Sequence, residues 1–362
     1  MSENIRGTYF CLLDDVDLED NINLDEFNIR YYNAKELLSL LKGSEECDSS
    51  EENDRFERYS KFPWACREET IHLDDINKWG GGYAKLDLWL KHTVGRVSWK
   101  PFTDLIRTLN LLKESPGPVI TRQFYFTLFT NAKTKVEIGK VIYGEPAFDI
   151  IDDCNGSRIR PRLREYTLGK NDVAGFSNLR DQVSKCLSKD SDLSNSHLRI
   201  AIHYFENGDR RLKAPTLTGS FDAIDPLMSY DAALESLVIR ESEYGVGKKL
   251  SRRVSTIIDS KIDEVQNFCK RVFWLRSKFA HGARTVEDIE HLIVIKPNKE
   301  IQNTARNLTI RGGNYRDLFL TSHEFPGFLA NLREITRRTI RFFCDEHLKG
   351  NSREDIIAKL NQ

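Results

Sequence analysis

Residues 261–284 decide the fold of the C-terminal half, and they read KIDEVQNFCKRVFWLRSKFAHGAR. Apolar side chains recur there at intervals of three, four, three and seven residues, at Ile262, Val265, Cys269, Val272 and Phe279. Such spacing is typical of a helix that buries one face. Gly282 favours a helix end immediately after this stretch. The segment is therefore predicted to be an amphipathic helix with its C-terminus near residue 281.

One position on the apolar face carries a charge. Arg276 fills the gap between Val272 and Phe279, and an arginine on a buried face is costly unless an anion meets it. His281 follows five residues later, about 140° around an ideal helix. The two side chains therefore converge on one ligand only through distortion at the helix end or across a dimer interface.

Ordinary structural roles account for each residue taken singly. Arg276 can form an ion pair with an acidic neighbour such as Glu235, and His281 can be a helix-end histidine favoured by the dipole. The surrounding charge favours a ligand, because residues 240–286 contain eleven Lys or Arg against five Asp or Glu. A patch that follows RNA phosphates requires such a surplus. The candidate phosphate-binding residues are Lys248, Lys249, Arg252, Arg253, Lys270, Arg271 and Lys278.

Helical periodicity continues on both sides of this segment. A helix is predicted from HLRIAIHYFENGD with its end near Asn207-Gly208, another from Asp225-Pro226 onward, and a long one from about residue 326 to 347. Upstream, VITRQFYFTLFT and KVEIGKVIYG predict a β-hairpin. We therefore predict an α+β protein with a mixed α/β domain over residues 1–157 and an all-α helical bundle over residues 158–362.

Composition narrows the classes of function. The chain has 362 residues, 40% of them hydrophobic and 30% charged, with a net charge of −1. Residues 1–60 contain 16 acidic and 6 basic side chains, so residues 61–362 carry the positive surplus that a polyanion would meet. The seven cysteines have no metal-ligand spacing, and we predict no zinc or other cofactor. No signal peptide or membrane-spanning run is present, which predicts a cytoplasmic protein with reduced thiols.

The segment from Arg276 to Gly282, RSKFAHG, resembles the R-x4-6-H motif of the HEPN superfamily, and in particular its ApeA-like branch. YDAALESLV (residues 230–238), KKLSRRVSTII (residues 248–258) and FWLRSKFAHG follow the order and approximate spacing of that branch. The closing segments LREITRRTIRFF and SREDIIAKL are similar to it as well. The resemblance covers about residues 170–360. A lone RxxxxH is a weak signal, whereas the ordered set of segments is more specific.

The resemblance implies a metal-independent endoribonuclease that acts as a homodimer on RNA, such as tRNA. It implies Arg276 and His281 as catalytic residues, with Ser277 and Glu235 in support, in a bacterial anti-phage defence or toxin system that responds to a phage-derived or cellular trigger. Serine is a weaker polar contact than the Asn, Asp or His that many members carry after the arginine. The alternative is a non-catalytic HEPN module that binds RNA or a partner protein, although the presence of both Arg276 and His281 favours catalysis.

By the same resemblance, residues 1–157 are expected to sense infection or to restrain the nuclease. The acidic stretch in residues 1–60 is suited to mask a basic cleft. If it does, deleting residues 1–60 should raise RNA cleavage or cell toxicity relative to the full chain. Unchanged cleavage and toxicity would contradict the masking hypothesis.

Overall fold

The computed structural model describes residues 4–13, 16–37, 57, 59–72, 95–115, 118–119, 124–129, 141–143, 166–188, 196–213, 224–258, 262–280 and 325–361. The architecture is α+β, as predicted. The chain divides into two compact units, the first built mainly from the N-terminal half and the second from residues 110–118, 159–164 and 181–362. The domain boundary predicted at residue 157 lies outside the described residues.

The first unit contains the described strands. They are β1 (Asn4–Leu12), β2 (Val16–Leu18), β3 (Ile22–Leu24), β4 (Phe27–Tyr31), β5 (Pro63–His72), β6 (Phe124–Phe129), β7 (Val141–Tyr143) and β8 (Tyr166–Leu168). Six of them form one sheet in the order β3-β4-β5-β1-β6-β7, and β2 pairs with β8 in parallel. The predicted hairpin is confirmed as an antiparallel β6–β7 pair with Phe124 opposite Tyr143. Residues 130–140, which connect the two strands, lie outside the described residues.

The core beside this sheet is aromatic. Trp64 on β5 is fully buried in a cluster with Phe10, Leu12, Tyr32, Leu37 and Tyr59. Its indole Nε1 donates a hydrogen bond to the carbonyl of Tyr59 at 3.2 Å, so the one polar atom of the ring is satisfied inside the core.

The described helices are α1 (Gly95–Leu112), α2 (Asp172–Ser188), α3 (Ser196–Lys213), α4 (Ile224–Val238), α5 (Val246–Ile258), α6 (Ile262–Ala280), α7 (Phe325–Leu348) and α8 (Arg353–Lys359). Helices α3 to α8 belong to the second unit. None of the helices in the described ranges is long and apolar enough to cross a bilayer.

Helix α4 is central to the second unit and contacts α3, α5, α6 and α7. Its apolar positions are fully buried, as the sequence pattern predicts, at Leu227, Tyr230, Leu234, Leu237 and Val238. A helix packed on several sides has little surface left for charged side chains. The acids that α4 nevertheless carries therefore require partners from its neighbours.

The predicted end of α3 near Asn207-Gly208 is wrong, because the helix continues to Lys213. Gly208 allows close packing of two helices instead of ending one of them. A Cβ built at Gly208 would lie 2.5 Å from Cε1 of Tyr230, a distance that real Cβ contacts essentially never reach. Tyr230 on α4 is fully buried, and its hydroxyl donates a hydrogen bond to Asp209 at 2.7 Å.

Replacing Gly208 by alanine is expected to destabilise the protein by about 1–3 kcal/mol, because the Tyr230 ring is too well enclosed to move aside. Gly175 in α2 is exposed, so the same substitution there should stabilise by about 0.5–1 kcal/mol through helix propensity. Urea denaturation of both variants measures the two free energies. Equal effects at the two positions would contradict a packing role for Gly208.

Helix α7 carries three arginines at intervals of four residues, and each binds a backbone carbonyl of residues 110–118. Arg333 donates to the carbonyl of Ser115, Arg337 to that of Leu111, and Arg341 to that of Leu112. Buried carbonyls that lack an intrahelical partner need such donors. Helix α7 therefore directs three charged side chains at residues 110–118, of which Arg333 and Arg337 are buried and Arg341 is half-buried.

Candidate anion-binding site

Arg276 is positioned by α6 so that its guanidinium faces α4. Its Nη1 lies 3.0 Å from Oδ2 of Asp231 and also donates a hydrogen bond to Oε1 of Glu235. Asp231 and Glu235 are four residues apart and therefore lie on the same face of α4. The predicted ion pair between Arg276 and Glu235 is thus present, and Asp231 is a second acid in it. The Arg276 side chain remains 29% exposed.

Asp231 is an unusual carboxylate because it is fully buried. Neither of its oxygens makes a well-aligned hydrogen bond to the residues that the structure describes, so its contact with Arg276 is mainly one of charge. Burial and the neighbouring Glu235 raise the pKa of Asp231 to about 7, although Arg276 opposes the shift. Asp231 therefore exchanges its proton close to neutral pH.

Burial and the two neighbouring acids shift the pKa of Arg276 in opposite directions. Burial favours the neutral guanidine, but the charges of Asp231 and Glu235 outweigh it and the pKa of Arg276 is raised. Arg276 is therefore a permanent cation. With both acids ionised, the three groups carry a net charge of −1.

Cys269 lies two turns before Arg276 on the same face of α6 and is fully buried. Burial, and then the charge of Asp231, raise the pKa of its thiol. The thiol therefore stays protonated and packs as a small apolar group, as the sequence pattern predicts. The other described cysteines, Cys11, Cys66, Cys186 and Cys344, form no disulfide within the part of the chain that the structure describes.

The basic residues predicted to bind phosphate do not share one environment. Lys248, Arg252 and Lys270 are exposed, whereas Lys249 is half-buried and lies 3.4 Å from Glu243. Arg271 is buried beside Trp274, and burial lowers its pKa to about 10. The exposed residues can meet a polyanion, although Arg252 also donates a hydrogen bond to the carbonyl of Asn361 at 2.7 Å. The Arg271 guanidinium is instead enclosed by protein.

Arg253 is also enclosed, with a side-chain exposure of 1%. Its guanidinium makes two hydrogen bonds to Glu243, at 2.6 and 2.8 Å, and further ones to the carbonyl of Val238 and to Asn361. The Arg253 bond lowers the pKa of Glu243 to about 2. Arg253 thus anchors the loop between α4 and α5. Because Arg253 and Arg271 are both enclosed by protein, neither is placed to bind an RNA phosphate.

The remaining predicted residues lie at or beyond the end of α6. Ser277 is half-buried next to Arg276, and Lys278 belongs to the helix, but its side chain is not described. His281 lies outside the described residues, so the structure gives no distance between it and Arg276.

Asp231 was missed by the sequence prediction, although a signal for it exists. It comes four residues after Leu227 and three before Leu234, so it interrupts the apolar face of α4 as Arg276 interrupts that of α6. Opposite charges at buried positions of two helices often form a pair. Reading the two interruptions together would have identified the Asp231–Arg276 contact.

Within the described ranges, no three or more His, Cys, Asp or Glu side chains are grouped so that they could hold a metal ion. Comparison of the chain with protein-family models, with curated proteins and with solved structures gives no match.

Proposed function

We propose that this protein is a metal-independent endoribonuclease in which Arg276 and His281 are the catalytic residues. The observation that carries the proposal is the setting of Arg276. Two acids on α4 orient its guanidinium, the side chain is partly open to solvent, and the residue lies five positions before His281. Cleavage by a ribose hydroxyl requires a cation for the phosphate and a titratable group for the hydroxyl proton, and the sequence supplies the two residue types five positions apart.

The contacts of Arg276 leave room for a phosphate. Both of its contacts with described residues use Nη1, so the donors on Nε and Nη2 can bind two phosphate oxygens. Such a bidentate contact also stabilises the charge that develops on the phosphate in the transition state. Asp231 and Glu235 hold the guanidinium through that one nitrogen, so they limit how far it can move toward a phosphate while its other donors stay available.

In the proposed reaction the RNA 2′-oxygen forms a bond to phosphorus while the bond from phosphorus to the 5′-oxygen breaks. His281 takes the 2′-hydroxyl proton or holds the hydroxyl in line, because an imidazole titrates near neutrality. The leaving 5′-oxygen takes up a proton from solvent, which replaces the proton lost from the 2′-hydroxyl. The products are a 2′,3′-cyclic phosphate and a 5′-hydroxyl, and no oxidant, reductant or metal enters the balance.

Exposed cations supply the long-range attraction for RNA. Lys248 and Arg252 on α5 and Lys270 on α6 are exposed, although Arg252 also donates a hydrogen bond to the carbonyl of Asn361, and Lys278 precedes His281 by three residues in the sequence. These residues would contribute affinity without reading sequence.

The resemblance to the ApeA-like branch supports a homodimer, since its members bring two R-x4-6-H helices to one cleft. It also supports a role in bacterial defence or toxicity, with the region before residue 158 as the sensor of a trigger. A second copy of α6 is the partner that this proposal requires.

A non-catalytic module that binds RNA or a protein is the second candidate. One observation favours it, namely that Nη1 of Arg276 is already engaged by Asp231 and Glu235, as in an ordinary structural ion pair. The two candidates differ in whether RNA is cut.

RNA cleavage by the full-length protein in EDTA tests the proposal, with the same assay in Mg²⁺ for comparison. We expect equal cleavage in both and product ends that carry a cyclic phosphate. Cleavage that requires Mg²⁺, or products with 3′-hydroxyl ends, would contradict the proposed mechanism. Binding of RNA without cleavage, also after expression in cells, would establish the binding module instead.

A further inference from the structure

We propose that Asp231 is a positioning residue that sets how far the Arg276 guanidinium can move: ionised Asp231 retains it between α4 and α6, and protonated Asp231 releases it to an anion. The inference deepens the proposed function, since the anion is then an RNA phosphate. It depends only on the three charged groups and not on cleavage.

The burial of Asp231 restricts the motion of Arg276. Its carboxylate has no access to water and no well-aligned hydrogen bond to the residues that the structure describes. Arg276 is the cation that acts on it. Withdrawing Arg276 from an ionised Asp231 would leave a buried, uncompensated charge, which is strongly unfavourable. An ionised Asp231 therefore holds the guanidinium in place.

Glu235 does not impose the same constraint. It is 22% exposed, so water can solvate its carboxylate when the guanidinium moves away. The difference between the two acids is one of burial, because both lie on the same face of α4 and both contact the same nitrogen. Asp231 is consequently the acid whose charge state decides whether Arg276 can leave.

Other charged groups around α4 are already paired with one another. On α3 and α7, Asp209 and Arg333 form an ion pair that lies against Tyr230, the residue before Asp231. On α5, Arg253 binds Glu243 and the carbonyl of Val238. On α6, the Cys269 thiol is protonated. Among the residues that the structure describes, the charged groups that act on Asp231 are thus Glu235 and Arg276.

The sign of the pH effect follows from these contacts. Binding of an anion by the released guanidinium is favoured by protonated Asp231, so anion affinity at Arg276 should rise as the pH falls. With a pKa of about 7, Asp231 changes from mainly protonated below neutral pH to mainly ionised above it. Release of the Arg276 guanidinium should therefore decrease as the pH rises through neutrality.

Phenylglyoxal, a reagent for guanidinium groups, tests this without RNA. The full-length protein is labelled between pH 6.5 and 8.5, and peptide mass spectrometry gives the reactivity of Arg276 relative to the exposed Arg252, which cancels the pH dependence of the reagent. In the wild type we expect this ratio to fall at least about fivefold, with a midpoint near pH 7. In Asp231→Asn it should stay at the low-pH value throughout.

Glu235→Gln is the matched control, because Glu235 raises the pKa of Asp231. That variant should keep the transition but move its midpoint to lower pH. A ratio that is constant in the wild type, or an unchanged midpoint in Asp231→Asn, would overturn the role of Asp231. If the labelling transition is present but no RNA is cleaved, the endoribonuclease proposal fails and the Asp231 proposal stands.

Discussion

Replacing Arg276 or His281 by alanine is expected to lower the rate of RNA cleavage by about 10²- to 10⁴-fold. Arg276 would lose the bidentate contact to the phosphate, and His281 would lose the group that handles the 2′-hydroxyl proton. Because the two act on one transition state, combining the substitutions should cost little more than either alone. Single-turnover cleavage of a short RNA in EDTA measures these rates.

The single substitution Arg276→Ala also leaves Asp231 buried without its cation, which destabilises the fold by itself. The double variant Arg276→Ala with Asp231→Asn removes both charges and should fold as the wild type does while remaining inactive. Arg276→Lys keeps a cation but loses the planar donors, so it should also be impaired. Lys270→Ala, an exposed change on the same helix, should weaken RNA binding slightly and leave cleavage of bound RNA unchanged. Full cleavage by the double variant would contradict a catalytic role for Arg276.

The helices around this site could be predicted because their burial follows a regular period. The apolar face of α4 is buried in the structure, and of the predicted apolar face of α6 Val265, Cys269 and Val272 are buried, whereas Ile262 in the first turn is 46% exposed. The β6–β7 pair was predictable from composition, since β-branched and aromatic residues are concentrated on both sides of a polar stretch of the sequence. Such local signals do not depend on which distant segments meet.

The roles of individual charges could not be predicted in this way. Arg252 and Arg253 are neighbours in sequence, yet the first is exposed and the second binds Glu243 inside the protein. That pairing depends on the loop between α4 and α5, where Ser242 has a φ of 61° and Gly245 a φ of 70°. Counting basic residues gives the size of a positive surplus, but it does not separate solvent-facing cations from cations that hold the fold together.

Arg333 is a cation that stabilises the fold. It is fully buried on α7, and its Nε donates to Oδ1 of Asp209 at 2.8 Å. Its two terminal nitrogens donate to the carbonyl of Ser115 at 3.2 Å and to Oδ1 of Asn110 at 3.0 Å. Asp209 also accepts the Tyr230 hydroxyl. Arg333 therefore connects α7, α3 and residues 110–118 through one guanidinium.

Replacing Arg333 by leucine is expected to lower the free energy of unfolding by about 3–5 kcal/mol, because Asp209 then becomes a buried charge without its cation. Urea denaturation followed by circular dichroism measures the loss. Arg338→Ala on the same helix is the control, since Arg338 is exposed and makes one bond to the carbonyl of Ile258. Its cost should stay below about 1 kcal/mol.

The loss should also depend on pH in a way that a packing defect would not. Burial raises the pKa of Asp209, and Arg333 opposes that shift, so removing Arg333 raises the pKa further. A carboxyl group with a raised pKa in the folded state loses stability as the pH rises through the interval between its unfolded and folded values. Arg333→Leu should therefore be more destabilised at pH 8 than at pH 5. Adding Asp209→Asn should remove that difference, and a loss that is equal at both pH values would assign the effect of Arg333 to packing alone.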